Sequence, residues 1–170
     1  MKISRKWAMP NKWTFTIKPI RELLEEYVLP GKLWCDPYAG EHSPADVKND
    51  LNGKHEFNMD ALDFLKTRKD EEFDGVLIDP PYSSHQVSEH YKKAGIKITG
   101  WHTSASYNSE IKNHAARITK KNGMVICFGW NSMGIGKNRG FEMLEILLVP
   151  HGGSRNDTIC TVERKVVPKA

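Results

Sequence analysis

Hydrophobic positions in the chain fall into two patterns, short apolar runs and stretches with helical spacing. The apolar runs predict strands at 32–36, 73–78, 124–128, 141–149 and 157–162, and the more polar segments 46–51 and 56–59 are candidates for the second and third strands. Helical spacing predicts helices at 20–27, 61–69, 86–93 and about 109–121. Only the turn around His151-Gly152-Gly153 separates the last two strands, so they are expected to pair antiparallel. The alternation of strands and helices before them predicts an α/β fold with a largely parallel sheet.

The length and composition are those of one ordinary globular domain. The chain has 170 residues, 39% of them hydrophobic and 27% charged, so we expect a single domain over 1–170. No stretch has the apolar length of a membrane span, and the basic N-terminus lacks the apolar core and cleavage site of a signal peptide. These features predict a cytoplasmic protein without membrane contact. The net charge of +4 is compatible with a polyanionic partner.

The cysteines and histidines do not suggest a metal site. Cys35, Cys127 and Cys160 are odd in number, far apart and within apolar runs, which is typical of buried free thiols in a reducing compartment. Neither they nor the seven histidines have the spacing of metal ligands. We therefore expect no metal.

The most informative segment is Asp79-Pro80-Pro81-Tyr82, which directly follows the apolar run 73–78. It is therefore expected at the carboxyl end of a strand, where open α/β sheets bind ligands. Asp79 can accept one hydrogen of an amine, and prolines, which have no N–H, can leave carbonyls facing a substrate. Tyr82 offers a ring for base stacking. This set suits activation of a planar, weakly nucleophilic amine. The alternative interpretation is a capped turn with two structural prolines.

The Asp79 segment resembles motif IV of the amino-methyltransferases, which methylate exocyclic amines of adenine or cytosine with S-adenosylmethionine. The resemblance implies that Asp79, Pro80, Pro81 and Tyr82 are catalytic. The order of elements over about 30–165 resembles the class I methyltransferase (Rossmann-like) fold, a seven-stranded, mostly parallel sheet with an antiparallel last strand. The whole pattern is similar to small adenine-specific DNA methyltransferases of phages and bacteria. The segments that carry this similarity are 49–52, 60–65, 79–82, 128–132 and 151–158.

The methyltransferase interpretation requires a glycine-containing loop after the first of these strands. Asp36-Pro37-Tyr38-Ala39-Gly40 occupies that place and resembles motif I, which implies that Asp36, Pro37, Tyr38, Ala39 and Gly40 bind S-adenosylmethionine. The segment departs from the family pattern, since it has one glycine instead of two or three. Nine residues separate Gly40 from Asp50, so the first crossover helix is expected to be short or absent.

Two further acids are expected at the cofactor. Asp50, followed by Leu51, ends the second predicted strand and can accept hydrogen bonds from ribose hydroxyls; a solvated turn is the alternative. Asp60, followed by Ala61, can accept from the adenine amine of the cofactor or cap the helix that begins there. Phe15 lies in a segment whose placement resembles motif X, which completes the methionine pocket. The alternative for that segment is packing at the sheet edge.

The chain has no room for a separate target-recognition domain, because 38 residues separate Gly40 from Asp79. The remaining candidates for contact with DNA are loops at 95–108 and 132–140. Their basic and aromatic residues suit phosphate contact and base stacking, although ordinary solvated loops are the alternative. These residues are Lys97, Trp101, His102, Lys137 and Arg139. The expected partner is duplex or single-stranded DNA, read with low specificity unless a second copy or a partner subunit supplies recognition.

Two other functions are compatible with the same residues. Ribosomal RNA guanine methyltransferases also use an Asp-Pro-Pro-aromatic motif in a small domain. A catalytically silent subunit that binds cofactor or nucleic acid is the second alternative, and the single glycine at Gly40 favours it.

Overall fold

The computed structural model describes residues 1–166, which form one seven-stranded sheet with helices on both faces. The strands are β1 (Lys2–Arg5), β2 (Trp34–Asp36), β3 (Val47–Lys48), β4 (Phe73–Ile78), β5 (Thr119–Gly129), β6 (Phe141–Val149) and β7 (Thr158–Lys165). The helices are α1 (Lys18–Tyr27), α2 (Ala61–Lys66), α3 (Ser84–Lys93) and α4 (Ala105–Ile118), with 3-10 turns at Thr14–Thr16 and Lys137–Arg139.

The strand order is β1-β6-β7-β5-β4-β2-β3, and β7 is antiparallel to both of its neighbours. The other pairs are parallel. The predicted fold class is therefore confirmed: a mostly parallel α/β sheet of the class I methyltransferase type, with its last strand antiparallel.

The identity of one strand differs from the prediction. The segment 56–59 forms only a single parallel bridge, between Asn49 and Phe57, and is not a strand. The seventh strand is instead β1, which pairs with β6 at the other edge of the sheet. Sequence pattern did not identify β1 because it is short and mostly exposed, as edge strands often are.

The two faces of the sheet are covered by different helices. α1 packs on one face, while α2 and α4 cover the other. Glycine is required within β4, because a Cβ on Gly75 would lie 2.5 Å from the ring of Trp34 on the neighbouring strand. The largest fully buried side chains include Trp34, Phe64, Phe73, Phe141 and Ile20.

The boundaries of α4 were predicted wrongly. The helix begins at Ala105, capped by the Ser104 hydroxyl, so part of the predicted loop 95–108 is helical. It ends at Ile118, and the Asn122-Gly123 pair that predicted the stop lies within β5. There Asn122 has a φ of 62° and the register with β4 shifts. Asn-Gly marks helix ends and strand bulges alike, so the sequence alone could not separate the two.

The remaining predictions about local structure can be compared directly. Residues 37–46 contain no helix, which confirms the expected loss of the first crossover helix. Cys35 and Cys160 are buried free thiols as predicted, while Cys127 is a half-buried one whose pKa burial raises to about 12. Within 1–166, no helix is long and apolar enough to cross a membrane. Over the same range, no group of three or more potential ligands is placed to hold a metal ion.

Candidate active site

A cavity of about 650 Å³ opens at the carboxyl ends of the parallel strands, between the loops that follow β2, β3 and β4. This volume lies in the range of small-molecule sites. The predicted site residues that line it are Phe15, Pro37, Tyr38, Ala39, Gly40, Asp50, Leu51, Ala61, Asp79, Pro80, Pro81, Tyr82 and His102. The predicted residues outside its wall are Asp36, Asp60, Lys97, Trp101, Lys137 and Arg139.

Asp79 follows β4 directly and is half-buried in the cavity wall. The hydroxyl of Tyr82 donates a hydrogen bond to its Oδ1. Burial raises the pKa of the Asp79 carboxyl to about 6, while hydrogen bonds from the Tyr82 and Thr14 hydroxyls oppose that rise. Asp79 is therefore mainly ionised at neutral pH, in an environment that hydrates its charge poorly.

Tyr82 is fixed by the beginning of α3. Its N–H donates to Oε1 of Gln86 at 2.8 Å, and Ser83 and Gln86 form the capping box of that helix. Its ring lies against Trp130, with ring centroids 5.7 Å apart. Sequence reasoning did not select Trp130 as a site residue, although its position directly after β5 at the same sheet edge was a usable signal.

Asp36 fixes the loop after β2 from its buried side. This carboxylate is fully buried and accepts hydrogen bonds from the Tyr38 N–H at 2.9 Å and the Ser43 hydroxyl at 2.6 Å. Burial raises its pKa to about 7, and the charges of Asp79 and Asp50 add to the rise. Asp36 therefore shapes the loop from beneath the cavity instead of lining it.

Asp50 joins the loops after β2 and β3. Its Oδ2 accepts the Gly40 N–H at 2.9 Å, and its Oδ1 accepts the Asn52 N–H at 2.8 Å. Because a carboxylate oxygen can accept two hydrogen bonds, each retains capacity for a ligand hydroxyl. Gly40 has a φ of +56°, and a Cβ built there meets only the Trp13 ring, at 3.8 Å. This open backbone beside an acceptor fits the ribose and methionine parts of S-adenosylmethionine.

Asn49 is a structural residue that sequence reasoning missed. It is fully buried, and its amide donates to the carbonyl oxygens of Pro37 at 3.0 Å and Met59 at 2.9 Å. Its Oδ1 also accepts the Met59 N–H at 3.0 Å. One side chain thus ties together three segments of the cavity wall. The sequence offered no distinct signal for it, because Asn49 lies in the largely polar segment 46–51.

Asp60 caps α2, as one of its two interpretations predicted. Its Oδ1 accepts the N–H groups of Leu62 at 2.9 Å and Asp63 at 3.2 Å. Its Oδ2 accepts the hydroxyls of Tyr91 and of Tyr107, the latter at 2.9 Å. The carboxylate is thus engaged by four protein donors, and contact with a cofactor amine stays a prediction.

The predicted DNA-binding loops are placed differently from each other. Arg139 donates to Asn113 at 2.7 Å, Ile135 O at 3.0 Å and Ser109 at 2.9 Å, which fixes it against α4. Lys97 and Lys137 are exposed away from the main cavity. Trp101 lines a smaller neighbouring cavity beside Asp60. Of this predicted set, the structure brings only His102 to the main cavity wall.

The comparisons with known proteins identify the fold. No protein-family model and no curated protein matches the sequence. Among solved structures, the chain is similar to the 1,6-didemethyltoxoflavin-N1-methyltransferase of Burkholderia thailandensis, solved with 1,6-didemethyltoxoflavin and S-adenosylhomocysteine bound. The TM-score is 0.61 at 10% identity, over 88% of this chain and 78% of that one.

Two other solved structures have the same architecture. An S-adenosylmethionine-dependent methyltransferase of Methanosarcina mazei matches with a TM-score of 0.58 at 12% identity, over 85% of this chain and 97% of that one. TrmN of Thermus thermophilus matches with a TM-score of 0.57 at 16% identity, over 88% of this chain. This chain covers 49% of TrmN. The chain therefore has the fold of S-adenosylmethionine-dependent methyltransferases.

Proposed function

We propose that this protein transfers a methyl group from S-adenosylmethionine to the exocyclic amine of adenine in DNA. The observation that carries the proposal is Asp79, a half-buried carboxylate in the cavity wall at the carboxyl end of β4. Two prolines and the Tyr82 ring follow it in the same wall. The fold of the chain, shared with S-adenosylmethionine-dependent methyltransferases, supports the choice of cofactor.

The residues around Gly40 and Asp50 are those that would hold the cofactor. The Asp50 carboxylate can accept ribose hydroxyls with the lone pairs that Gly40 and Asn52 leave free. Leu51 and Ala61 line the same wall and offer apolar surface to the adenine ring. When bound, S-adenosylmethionine supplies an electrophilic methyl group.

Asp79 and the prolines would make the exocyclic amine of the target base a better nucleophile. The lone pair of an exocyclic amine is delocalised into its ring, which makes the nitrogen a poor nucleophile. Hydrogen bonds from the amine to the Asp79 carboxylate and to the carbonyl of Pro80 or Pro81 favour a pyramidal nitrogen and orient its lone pair. The protein contribution is thus positioning and electrostatics.

The choice of adenine in DNA rests on the sequence resemblance, whereas the absence of space for a recognition domain within 40–79 supports low sequence specificity. A base in a duplex must leave the stack to reach the cavity, which costs a few kcal/mol, whereas a single strand avoids that cost. We therefore propose methylation in many sequence contexts, with single strands at least as good as duplexes.

The proposal is tested by transfer of tritiated methyl groups to single-stranded DNA, duplex DNA and ribosomal RNA. Asp79→Ala should reduce transfer to DNA at least ~100-fold while binding of S-adenosylhomocysteine, measured by calorimetry, is retained. Asp70→Ala is the matched control, because Asp70 is exposed and contacts only the Arg117 side chain at the surface.

Three outcomes would contradict the proposal. Retention of more than half of the turnover in Asp79→Ala would make the motif structural. Transfer confined to RNA would favour the RNA methyltransferase. Failure of the wild-type protein to bind S-adenosylhomocysteine would favour the silent subunit.

A further inference from the structure

Trp130 is an exposed aromatic side chain at the edge of the proposed active site. Its side chain is 43% exposed, it lines the main cavity, and its ring centroid is 5.7 Å from that of Tyr82. A base inserted between two rings needs about 7 Å, twice the stacking distance of about 3.4 Å. The two rings therefore leave no room for a base between them, and the exposed surface of Trp130 is available to a different nucleotide.

Two cations lie in the same cavity wall without a carboxylate partner. Arg155 is in the connection between β6 and β7, and Lys12 precedes the 3-10 turn at Thr14–Thr16. Both are exposed, and within 1–166 neither forms an ion pair. The Lys12 Nζ lies 4.9 Å from the centroid of the Trp13 ring, a contact that leaves its charge uncompensated.

The segment 132–140, in contrast, is held against the body of the protein. Glu163 is buried on β7 and accepts the N–H groups of Ile135 and Gly136, the latter at 3.0 Å. Ile135 is itself part of the core, and the Arg139 guanidinium donates three hydrogen bonds to α4 and the loop. These contacts indicate that the segment mainly completes the packing of the fold and does not serve to present cations to a polyanion.

We infer that the rim formed by Lys12, Trp130 and Arg155 binds the nucleotides that flank the target base in a single strand of DNA. Trp130 stacks on a neighbouring base, and Lys12 and Arg155 contact phosphates on the same strand. The inference rests on the proposed function, because it places the strand at the mouth of the cavity that contains Asp79. Two exposed cations and an exposed aromatic ring in the wall of one cavity match the chemistry of single-strand binding.

The test measures binding of a fluorescein-labelled single-stranded DNA of about 16 nucleotides, by anisotropy over a series of salt concentrations. Arg155→Ala and Lys12→Ala should each reduce the slope of log K against log salt by about 0.7, the value for one single-strand phosphate. Trp130→Ala should weaken binding roughly 5- to 150-fold without changing that slope. The matched control is Lys121→Ala. Lys121 is an exposed cation near the amino end of β5, whereas the cavity lies at the carboxyl ends of the parallel strands.

A second comparison uses the loops that the sequence favoured. If Lys137→Ala changes the salt slope and Trp101→Ala weakens binding, while the rim variants bind as the wild type does, the inference is overturned. Failure of the wild-type protein to bind the oligonucleotide overturns it too. S-adenosylhomocysteine affinity is measured for every variant, so that a damaged cavity is not mistaken for a lost DNA contact.

Failure of the inference can be distinguished from failure of the proposed function. If the wild-type protein methylates DNA but the rim variants bind DNA as the wild type does, only the role of the rim is rejected. Binding through the rim with no transfer by the wild-type protein rejects the proposed reaction and leaves a strand-binding surface.

Discussion

The hydrogen bond between Tyr82 and Asp79 gives Tyr82 a second effect on catalysis besides stacking. The hydroxyl donates to Asp79 Oδ1 and lowers the pKa of that carboxyl, against the larger opposing effect of burial. Asp79 accepts the amine hydrogen best when it is ionised, because a charged oxygen is the stronger acceptor. Tyr82→Phe retains the ring and removes the hydroxyl, so the variant should need a higher pH to reach full activity.

The size of this effect follows from the strength of the bond. With a pKa of about 6, Asp79 is about nine tenths ionised at pH 7. A hydrogen bond to a charged group contributes about 1.5–3 kcal/mol, and 1.36 kcal/mol corresponds to one pH unit. Loss of the Tyr82 hydrogen bond should therefore move the midpoint of the activity–pH profile upward by about one pH unit or more. For a shift of one unit, the variant should have about half the wild-type activity at pH 7, roughly one fifth at pH 6, and equal activity at pH 9.

The assay is kcat/KM for tritiated methyl transfer between pH 5 and pH 9 at constant ionic strength, because this parameter reports ionisation of the free enzyme. Tyr82→Ala serves as the comparison at pH 9, where Asp79 is ionised in every variant. There it should lose roughly 5- to 150-fold through lost stacking, while Tyr82→Phe retains wild-type activity. A midpoint in Tyr82→Phe at or below that of the wild type would refute the reasoning.

Two further predictions concern the acids that shape the cofactor loop. Native Asp36 retains its proton up to about pH 7, whereas the unfolded chain releases it near pH 4, so native stability should fall between these values as pH rises. Asp36→Asn, which has no charge to bury, should therefore raise the thermal midpoint relative to wild type more at pH 8 than at pH 5; equal differences would contradict this. Asp50→Ala should weaken S-adenosylhomocysteine binding about 10-fold or more by calorimetry, with exposed Asp63→Ala as control. Unaltered affinity would place the ribose contact elsewhere.

The parts of the fold that the sequence predicted well are those with strong periodicity. β4 was predicted to the residue, because its continuous apolar run ends abruptly at the acid and two prolines. α1 and α3 were predicted within two residues of their bounds. The segment 56–59 was wrongly predicted as a strand, since only Phe57 forms a bridge, to Asn49. β1 was missed because its pairing depends on a distant neighbour. β1 exists only through its pairing with β6, more than one hundred residues away in the chain.

The cavity was predictable to the extent that its residues directly follow strands. Gly40, Asp50 and Asp79 could be placed because parallel strands bring their carboxyl ends to one edge. Lys12 and Arg155 could not, because no periodic pattern locates an irregular segment relative to that edge. Arg139 shows the opposite error: a basic residue in a glycine-rich loop suggested phosphate contact, but two of its three internal hydrogen bonds are formed with Ser109 and Asn113, which are distant in the sequence.

Four acids end up at or near the same edge of the sheet, and their hydrogen bonds separate structural from chemical roles. Asp36, Asp50 and Asp60 each accept at least one backbone N–H, and these bonds fix the loops that carry Tyr38, Gly40 and the start of α2. Asp79 receives instead side-chain hydroxyls, those of Tyr82 and Thr14. Because a hydroxyl is exchanged for a substrate amine more easily than a backbone N–H, Asp79 is the acid suited to receive a ligand. The two prolines that follow it strengthen this difference, since neither has an N–H with which to occupy the carboxylate.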